Sequence, residues 1–314
     1  GRTVVADWSE LADADGLGLL PVMVDVPGKD GTKLFCPPRK VLTTDRVRYV
    51  GDAIAMVIAE TRHQAIEAME LIEVDYDILP SVTDTGSAMA PDAPVIWPEV
   101  GSNLCVLWDG GRGAEADTAF QGAHRTVQVE LIQNRLVGNP MEPRVAIGEW
   151  DGERYTLTSP TQGVVRVRDI VAQHVLRVPM DQLRVISPDV GGGFGLRGKL
   201  FPESAMVCWA SKRLGRPVKW RADRTETFVS DPHGRDHVTR AEAAFDANAK
   251  MIGVRIRTDA AMGAYLFDFG PRIPTLAGGR IQGTVYDIQA LNHQVRCVFT
   301  NTVGTDAYRG AGRP

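Results

Sequence analysis

The sequence is poor in cysteine, with four residues in 314, and no two of them form a CxxC pair. Zinc ribbons, plant-type iron–sulfur clusters and thioredoxin motifs therefore have no support. Long apolar runs are missing too: the best, Ala53 to Ala59, suits a buried strand, far short of the roughly 18 residues that a membrane helix needs. Charge of one sign is not in excess, because 35 Lys+Arg against 39 Asp+Glu leave a formal net charge of -4. That balance argues against a broad nucleic-acid face, although a local basic patch stays open. At the N-terminus Arg2 is followed by Asp7, Glu10, Asp13 and Asp15 in place of the apolar core of a signal peptide, so a reducing cytoplasm is expected. Of six histidines only His233 and His237 have a suggestive spacing; Pro232 and Gly234 favour a loop whose side chains cap backbone groups over a helical metal pair. Cys208, in Ala205-Met206-Val207-Cys208-Trp209, reads as a small buried hydrophobe.

What is present is a chain of ordinary globular composition, 44% hydrophobic and 24% charged, long enough for about two domains. The pattern predicts strands over Arg46–Val50 and Ala53–Ala59. A helix follows from Thr61, where Gln64 completes a capping box, and then a return strand over Ile72–Tyr76. Such a ββαβ unit is a small α+β domain. The proline-bearing stretch Thr83 to Pro98 reads as an extended linker. Further strands are expected at Thr126–Leu131, Val145–Trp150, Tyr155–Ser159 and Leu183–Ser187, and within Ala241–Met262 and Gln289–Thr300. Helices are expected over Val164–Leu176 and over Pro202–Leu214, the latter with Pro at its first turn, Glu203 beside the N-terminal dipole and Gly215 as cap.

Between strand Leu183–Ser187 and helix Pro202–Leu214 lies Gly191-Gly192-Gly193-Phe194-Gly195, a loop whose backbone N–H groups can reach an anionic or oxygen-rich ligand without a Cβ in the way. Three readings compete. Gly193, Gly198 and Lys199 fit GxxxxGK, but Leu200 stands where Ser or Thr must reach magnesium. A Rossmann GxGxxG needs glycine at Leu196. A tight strand-to-helix connection with no ligand is the third.

Four ordered segments weigh on that choice: Asn139-Pro140-Met141-Glu142-Pro143-Arg144, Pro160-Thr161-Gln162, the glycine loop, and Ala307-Tyr308-Arg309-Gly310-Ala311-Gly312-Arg313. Their order and spacing resemble the molybdenum-binding large subunit of the xanthine dehydrogenase/aldehyde oxidase family, and Tyr49-Val50-Gly51-Asp52 through Leu79-Pro80 resembles its hammerhead domain. The last segment is most similar to the form II group of carbon monoxide dehydrogenase-like large subunits. The resemblance covers the whole chain. It implies an α+β fold divided into a hammerhead-like domain (1–85), a linker (86–105) and the first, truncated part of a larger mixed α/β molybdopterin-cofactor-binding domain (106–314). The chain would then be an N-terminal fragment.

The implied activity is hydroxylation of an aldehyde or N-heteroaromatic carbon with water as the oxygen source. The implied cofactor is molybdenum–molybdopterin, in the cytosine dinucleotide form usual in bacterial relatives, the metal being held through the pterin and not by protein ligands. Electrons would pass to two [2Fe-2S] centres on a small partner subunit and to FAD on a medium one, in a dimer of heterotrimers with no nucleic acid and no membrane span. Carried over, Gln162 lies beside the oxygen ligand of molybdenum, Gly193, Phe194 and Gly195 contact the cofactor through the backbone, and Arg309 and Gly310 flank the metal from another loop. Met141, Glu142 and Arg144 belong to the motif without an evident role, and a Glu–Arg pair bracing the loop is the plain expectation. The catalytic general-base glutamate is expected beyond Pro314, which leaves the fragment inactive alone. Gly310 replaces the copper-bridging cysteine of true carbon monoxide dehydrogenases, and Gly198-Lys199 replaces the substrate glutamate of purine oxidisers, so neither carbon monoxide nor xanthine is the expected substrate. A noncatalytic cofactor-binding or assembly module is the alternative; a P-loop nucleotide hydrolase has weaker support.

Overall fold

A computed structural model of the chain describes residues 4–6, backbone only, and 16–313. Thr3, the acidic N-terminal residues Asp7 to Asp15 and Pro314 lie outside the described residues. In chain order the strands are β1 (Val4–Ala6), β2 (Met56–Ile58), β3 (Leu104–Gly111), β4 (Arg125–Gln133), β5 (Val145–Trp150), β6 (Tyr155–Thr158), β7 (Leu183–Ile186), β8 (Val218–Arg221), β9 (His237–Phe245), β10 (Met251–Gly263) and β11 (Leu291–Phe299). The helices are α1 (Arg62–Met69), α2 (Gly113–Gln121), α3 (Val164–Ile170), α4 (Pro202–Leu214) and α5 (Arg224–Ser230). They form an α+β fold in two compact units. One holds the described residues up to Pro21 with Pro38–Pro80 and Asn139–Asp231; the other holds Val22–Pro37, Ser81–Gly138 and the described residues from Pro232 onward.

In the first unit β1 and β2 pair antiparallel, and α1 begins where Thr61 accepts from Gln64 N while Gln64 reaches back to Thr61 N, the expected capping box. The strands expected at Arg46–Val50 and Ile72–Tyr76 do not form. Arg48 N donates to the Asp52 carboxylate and Asp52 N to Tyr49 O, so the amides that a ladder would need close a turn instead. After α1 the Leu71 and Ile72 amides go back to Ala68 and Met69, and the chain beyond has no strand partner among the described residues.

A four-stranded sheet ordered β7-β6-β5-β8 carries α4 on one face, and its core includes Leu157, Val171, Val175, Leu183, Ala205 and Cys208. Burial pushes the Cys208 thiol up to about 12, in keeping with an inert core residue. The predicted long helix over Val164–Leu176 is α3 followed by a π-helical turn, Val171–Leu176, in which Gly18 N takes the Val175 carbonyl and Arg177 turns left-handed. α4 matches its predicted bounds, with Pro202 at the first turn and Gly215 capping at φ 63°. It lies so close to β5 that a Cβ on Gly148 would stand 2.3 Å from the Val207 carbonyl carbon. Gly148→Ala is therefore expected to cost about 2–3 kcal/mol by overpacking, read as a lower urea midpoint at unchanged m-value.

The second unit is a five-stranded sheet ordered β3-β11-β10-β9-β4, antiparallel throughout except for the β10–β11 pair. That parallel pair needs the crossover of residues 264–290. Thr83 to Pro98 is no free linker. It runs in successive turns that bury Ala88, Ile96 and Trp97, whose indole N–H donates to Ala264 O at 2.8 Å. Trp97 also meets Tyr265 edge-on at 5.4 Å.

His293, 2% exposed on β11, shares its Nε2 with Thr258 Oγ1, while its Nδ1 has no partner among the described residues. Burial first, and then the nearby His237, push its pKa down from 6.5 to about 4. The unfolded chain thus binds this proton between about pH 6.5 and 4 and the folded chain does not, so the stability present above pH 6.5 is lost as pH falls toward 4. The loss amounts to about 3 kcal/mol, from about 1.4 kcal/mol per pKa unit. His293→Gln is expected to make the melting temperature fall less steeply across that window, in thermal unfolding followed by circular dichroism, while His237, likewise held down at about 4 by burial, keeps its own share of the slope.

Candidate cofactor-binding site

The loop after β7 takes a course open to few side chains. Gly192, Phe194 and Gly195 all lie at positive φ, at 114°, 52° and 96°. Two side chains from other segments pin it. Gln162, on the turn before α3, accepts from Gly195 N through Oε1 at 3.0 Å, and Glu142 accepts from Gly191 N through Oε2 at 2.8 Å. Both fit because the partners are glycines: a Cβ on Gly193 would stand 2.6 Å from Gln162 Cδ, and one on Gly191 2.5 Å from Glu142 Cβ. Between the pins no acceptor among the described residues takes the N–H of Gly192 or Gly193. Two adjacent open amides with no Cβ over them fit an anionic, oxygen-rich group such as a pterin with its phosphate. The Phe194 ring is 38% exposed and so is no core aromatic.

Arg197, on the short turn Leu196–Gly198 after the loop, ties these segments together. Its carbonyl accepts from Gln162 N at 3.1 Å and from Thr161 Oγ1 at 2.8 Å, and its Nη2 donates to Glu142 O. Burial holds this guanidinium below the ordinary arginine range against the pull of Asp231, and the Arg144 charge lowers it further. Lys199, which a P-loop would aim into the glycine loop, is buried instead.

The Asn139–Arg144 segment does not contain the expected Glu–Arg pair. Glu142 goes to the glycine loop, while Arg144 turns inward to Asp231, Glu203 Oε1 at 2.8 Å and Ser230 Oγ at 2.8 Å, with its guanidinium 4.3 Å from the Phe201 ring centre. Burial by itself would lower the Arg144 pKa, but Glu203 and Asp231 outweigh it and raise the group above the ordinary arginine value. Glu203, read from sequence as a partner of the α4 dipole, is thus also an ion-pair partner. Met141 is 91% exposed. From α5, Arg224 donates to Asn139 Oδ1 and to the Pro140 and Met141 carbonyls at 2.6–2.8 Å.

The structure therefore brings Gln162, Gly193, Phe194 and Gly195 together in the first unit. Arg309 and Gly310 belong to the second, on a loop with four successive positive φ values: Arg309 at 31°, Gly310 at 80°, Ala311 at 29° and Gly312 at 89°. Arg235, itself left-handed, donates to Tyr308 O at 2.9 Å and lies over the Tyr308 ring. His233 and His237 fall near this loop's support: His233 bridges to Thr305 and His237 opens β9. Sequence reasoning expected Glu142 and Arg144 only to brace the loop as a pair and did not single out Arg197. The MEPR segment marked the first two, but nothing local marks the third.

Comparison with known families places this glycine loop, its glutamine pin and the small strand–helix module before it in a molybdopterin-binding protein of the aldehyde oxidase and xanthine dehydrogenase type. The family model described as "Molybdopterin cofactor-binding domain" matches residues 96–314, and "Aldehyde oxidase and xanthine dehydrogenase, a/b hammerhead domain" matches residues 5–80. The chain belongs to that family. It is similar to the 6-hydroxypseudooxynicotine dehydrogenase complex subunit gamma of Paenarthrobacter nicotinovorans, at 33% identity over 87% of this chain and 34% of the relative. It is also similar to the carbon monoxide dehydrogenase large chain of Hydrogenophaga pseudoflava, at 32% identity over 86% of this chain and 35% of the relative. Quinoline 2-oxidoreductase from Pseudomonas putida 86 superimposes with a TM-score of 0.89 at 29% identity, over 98% of this chain and 38% of that one. The chain thus spans about a third of the length of these relatives. No helix among the described residues is long and apolar enough to cross a membrane.

Proposed function

We propose that this chain is the cofactor-holding part of a molybdenum hydroxylase large subunit that oxidises an N-heteroaromatic or aldehyde carbon with water as the oxygen source. The observation that carries the reading is the glycine loop, pinned at both ends, with the Gly192 and Gly193 amides open between the pins. In this reading those amides and the backbone of Phe194 and Gly195 would hold the cofactor and Gln162 would offer its carboxamide N–H2 to the metal's oxygen ligand, with Arg309 and Gly310 also assigned to cofactor binding. The bound cofactor supplies two-electron oxidation of the substrate carbon. The chain's residues would bind and orient it. We assign the cytosine dinucleotide form, and an iron–sulfur small subunit and a FAD-binding medium subunit in a cytoplasmic dimer of heterotrimers.

An N-heteroaromatic substrate is favoured over carbon monoxide because Gly310 stands where a copper-bridging cysteine would be, and because relatives at similar identity bear nicotine-derived names. The test is purification, with its associated subunits, from molybdate-fed cells. The expected result is near-stoichiometric molybdenum by mass spectrometry, CMP released on acid hydrolysis, and dye reduction with quinoline- or pyridine-type substrates. Protein without molybdenum or a releasable pterin would overturn the reading. A loaded complex with no turnover of any heteroaromatic or aldehyde would favour the noncatalytic module.

A further inference from the structure

Glu142 sits on an arm fixed from outside the glycine loop. Arg224 holds the carbonyls of Pro140 and Met141, and Arg197 holds that of Glu142 itself. From that arm Glu142 meets Gly191 twice: its own N–H donates to Gly191 O at 3.1 Å, and its carboxylate accepts from Gly191 N at 2.8 Å. Gly191 is exposed, so without the carboxylate its amide would face water. The next residue, Gly192, turns to φ 114°, and everything downstream to Gly195 takes its direction from that start. At the far end Gln162 holds Gly195.

We propose that Glu142 is a positioning residue for cofactor binding: its carboxylate oxygen, acting as a fixed acceptor and not as a charge, sets the entry to the glycine loop and so aims the open Gly192 and Gly193 amides. The role rests on the reading of that loop as the cofactor cradle. It differs from a simple brace in needing the acceptor at one place. Glutamine keeps an oxygen at that reach and loses the charge, whereas aspartate keeps the charge and falls one methylene short.

The experiment compares Glu142→Gln and Glu142→Asp in the protein purified with its natural assembly from molybdate-fed cells. Two quantities are read: hydrogen–deuterium exchange of the peptide spanning Gly191 to Gly195, and pterin retained through gel filtration. Glu142→Gln is expected to stay within twofold of the parent in both. Glu142→Asp is expected to exchange at Gly191 at least tenfold faster and to retain at least fivefold less pterin, with a melting temperature close to that of the parent. The reverse order, or parent-like behaviour of Glu142→Asp, overturns the proposal. So does a Glu142→Asp loss confined to melting temperature. If the parent carries no pterin yet the exchange pattern holds, the loop-setting role stands and the cofactor reading is what fails.

Discussion

Arg144→Met is expected to lower the unfolding free energy by about 3–5 kcal/mol, because it removes one partner of a buried ionic group and leaves the others charged and without solvent. Asp231 has no exposed side-chain surface and Glu203 is 14% exposed, so neither can recover its hydration by a small shift. Each carboxylate already has one oxygen, Asp231 Oδ2 and Glu203 Oε2, with no hydrogen-bond partner among the described residues. The Arg144 fork is therefore their main compensation. Methionine fills most of the arginine volume and keeps contact with the Phe201 ring, so the loss reports charge and not a cavity. Arg144→Lys keeps the charge but cannot serve Asp231, Glu203 and Ser230 from one planar fork, and an intermediate loss is expected. The triple replacement Arg144→Met, Asp231→Asn, Glu203→Gln should recover most of the deficit, since it removes the stranded charges. Urea unfolding of the three variants checks this series. A single Arg144→Met variant within about 1 kcal/mol of the parent would show that the ionic group is hydrated in solution, against its burial here.

The contrast between Arg144 and its neighbours explains which features were legible in the sequence. Local signals carried well: the Thr61–Gln64 box sets the start of α1, and Pro202 and Gly215 bound α4, because caps act within one turn. The strand Val145–Trp150 was legible because alternation of apolar and polar residues is also a local pattern. Arg46–Val50 failed because an Asp52 side chain took a ladder amide, an event that alternation does not record. The site motif was visible as words, but its wiring was not. Glu142 meets Gly191 across 49 positions and Arg144 meets Asp231 across 87, and no local pattern separates those partners from the adjacent Glu–Arg pair that the motif suggests. Gln162 illustrates the same limit. Its choice as a site residue came from resemblance, whereas the bond to Gly195 that orients its amide is a product of the fold.

Gly193→Ala is expected to cost at least tenfold in pterin retention, about 1.4 kcal/mol, while leaving the fold in place. The added Cβ would stand 2.6 Å from Gln162 Cδ, 2.7 Å from Oε1 and 2.9 Å from Cγ, so one of the two must move. The Gln162 carboxamide is the softer partner: it is the exposed end of a flexible chain, and Gly193 is not at a positive φ that alanine would refuse. Swinging it away forfeits one hydrogen bond to Gly195 N, worth about 0.5–1.5 kcal/mol net, so the melting temperature should fall by only a few degrees. The retained pterin, measured by fluorescence after oxidation, should fall far more, because the same movement withdraws the Gln162 N–H2 and frees the loop at Gly195. A double variant separates these two contributions. Gln162→Ala with Gly193→Ala removes the collision and leaves the backbone free to return; if pterin retention then recovers fully, the Gln162 amide has no part in holding the cofactor and the loop backbone alone does so. If retention stays low in the double variant and in Gln162→Ala by itself, the amide is needed, and Gly193 is glycine so that the amide has room to stand where it does.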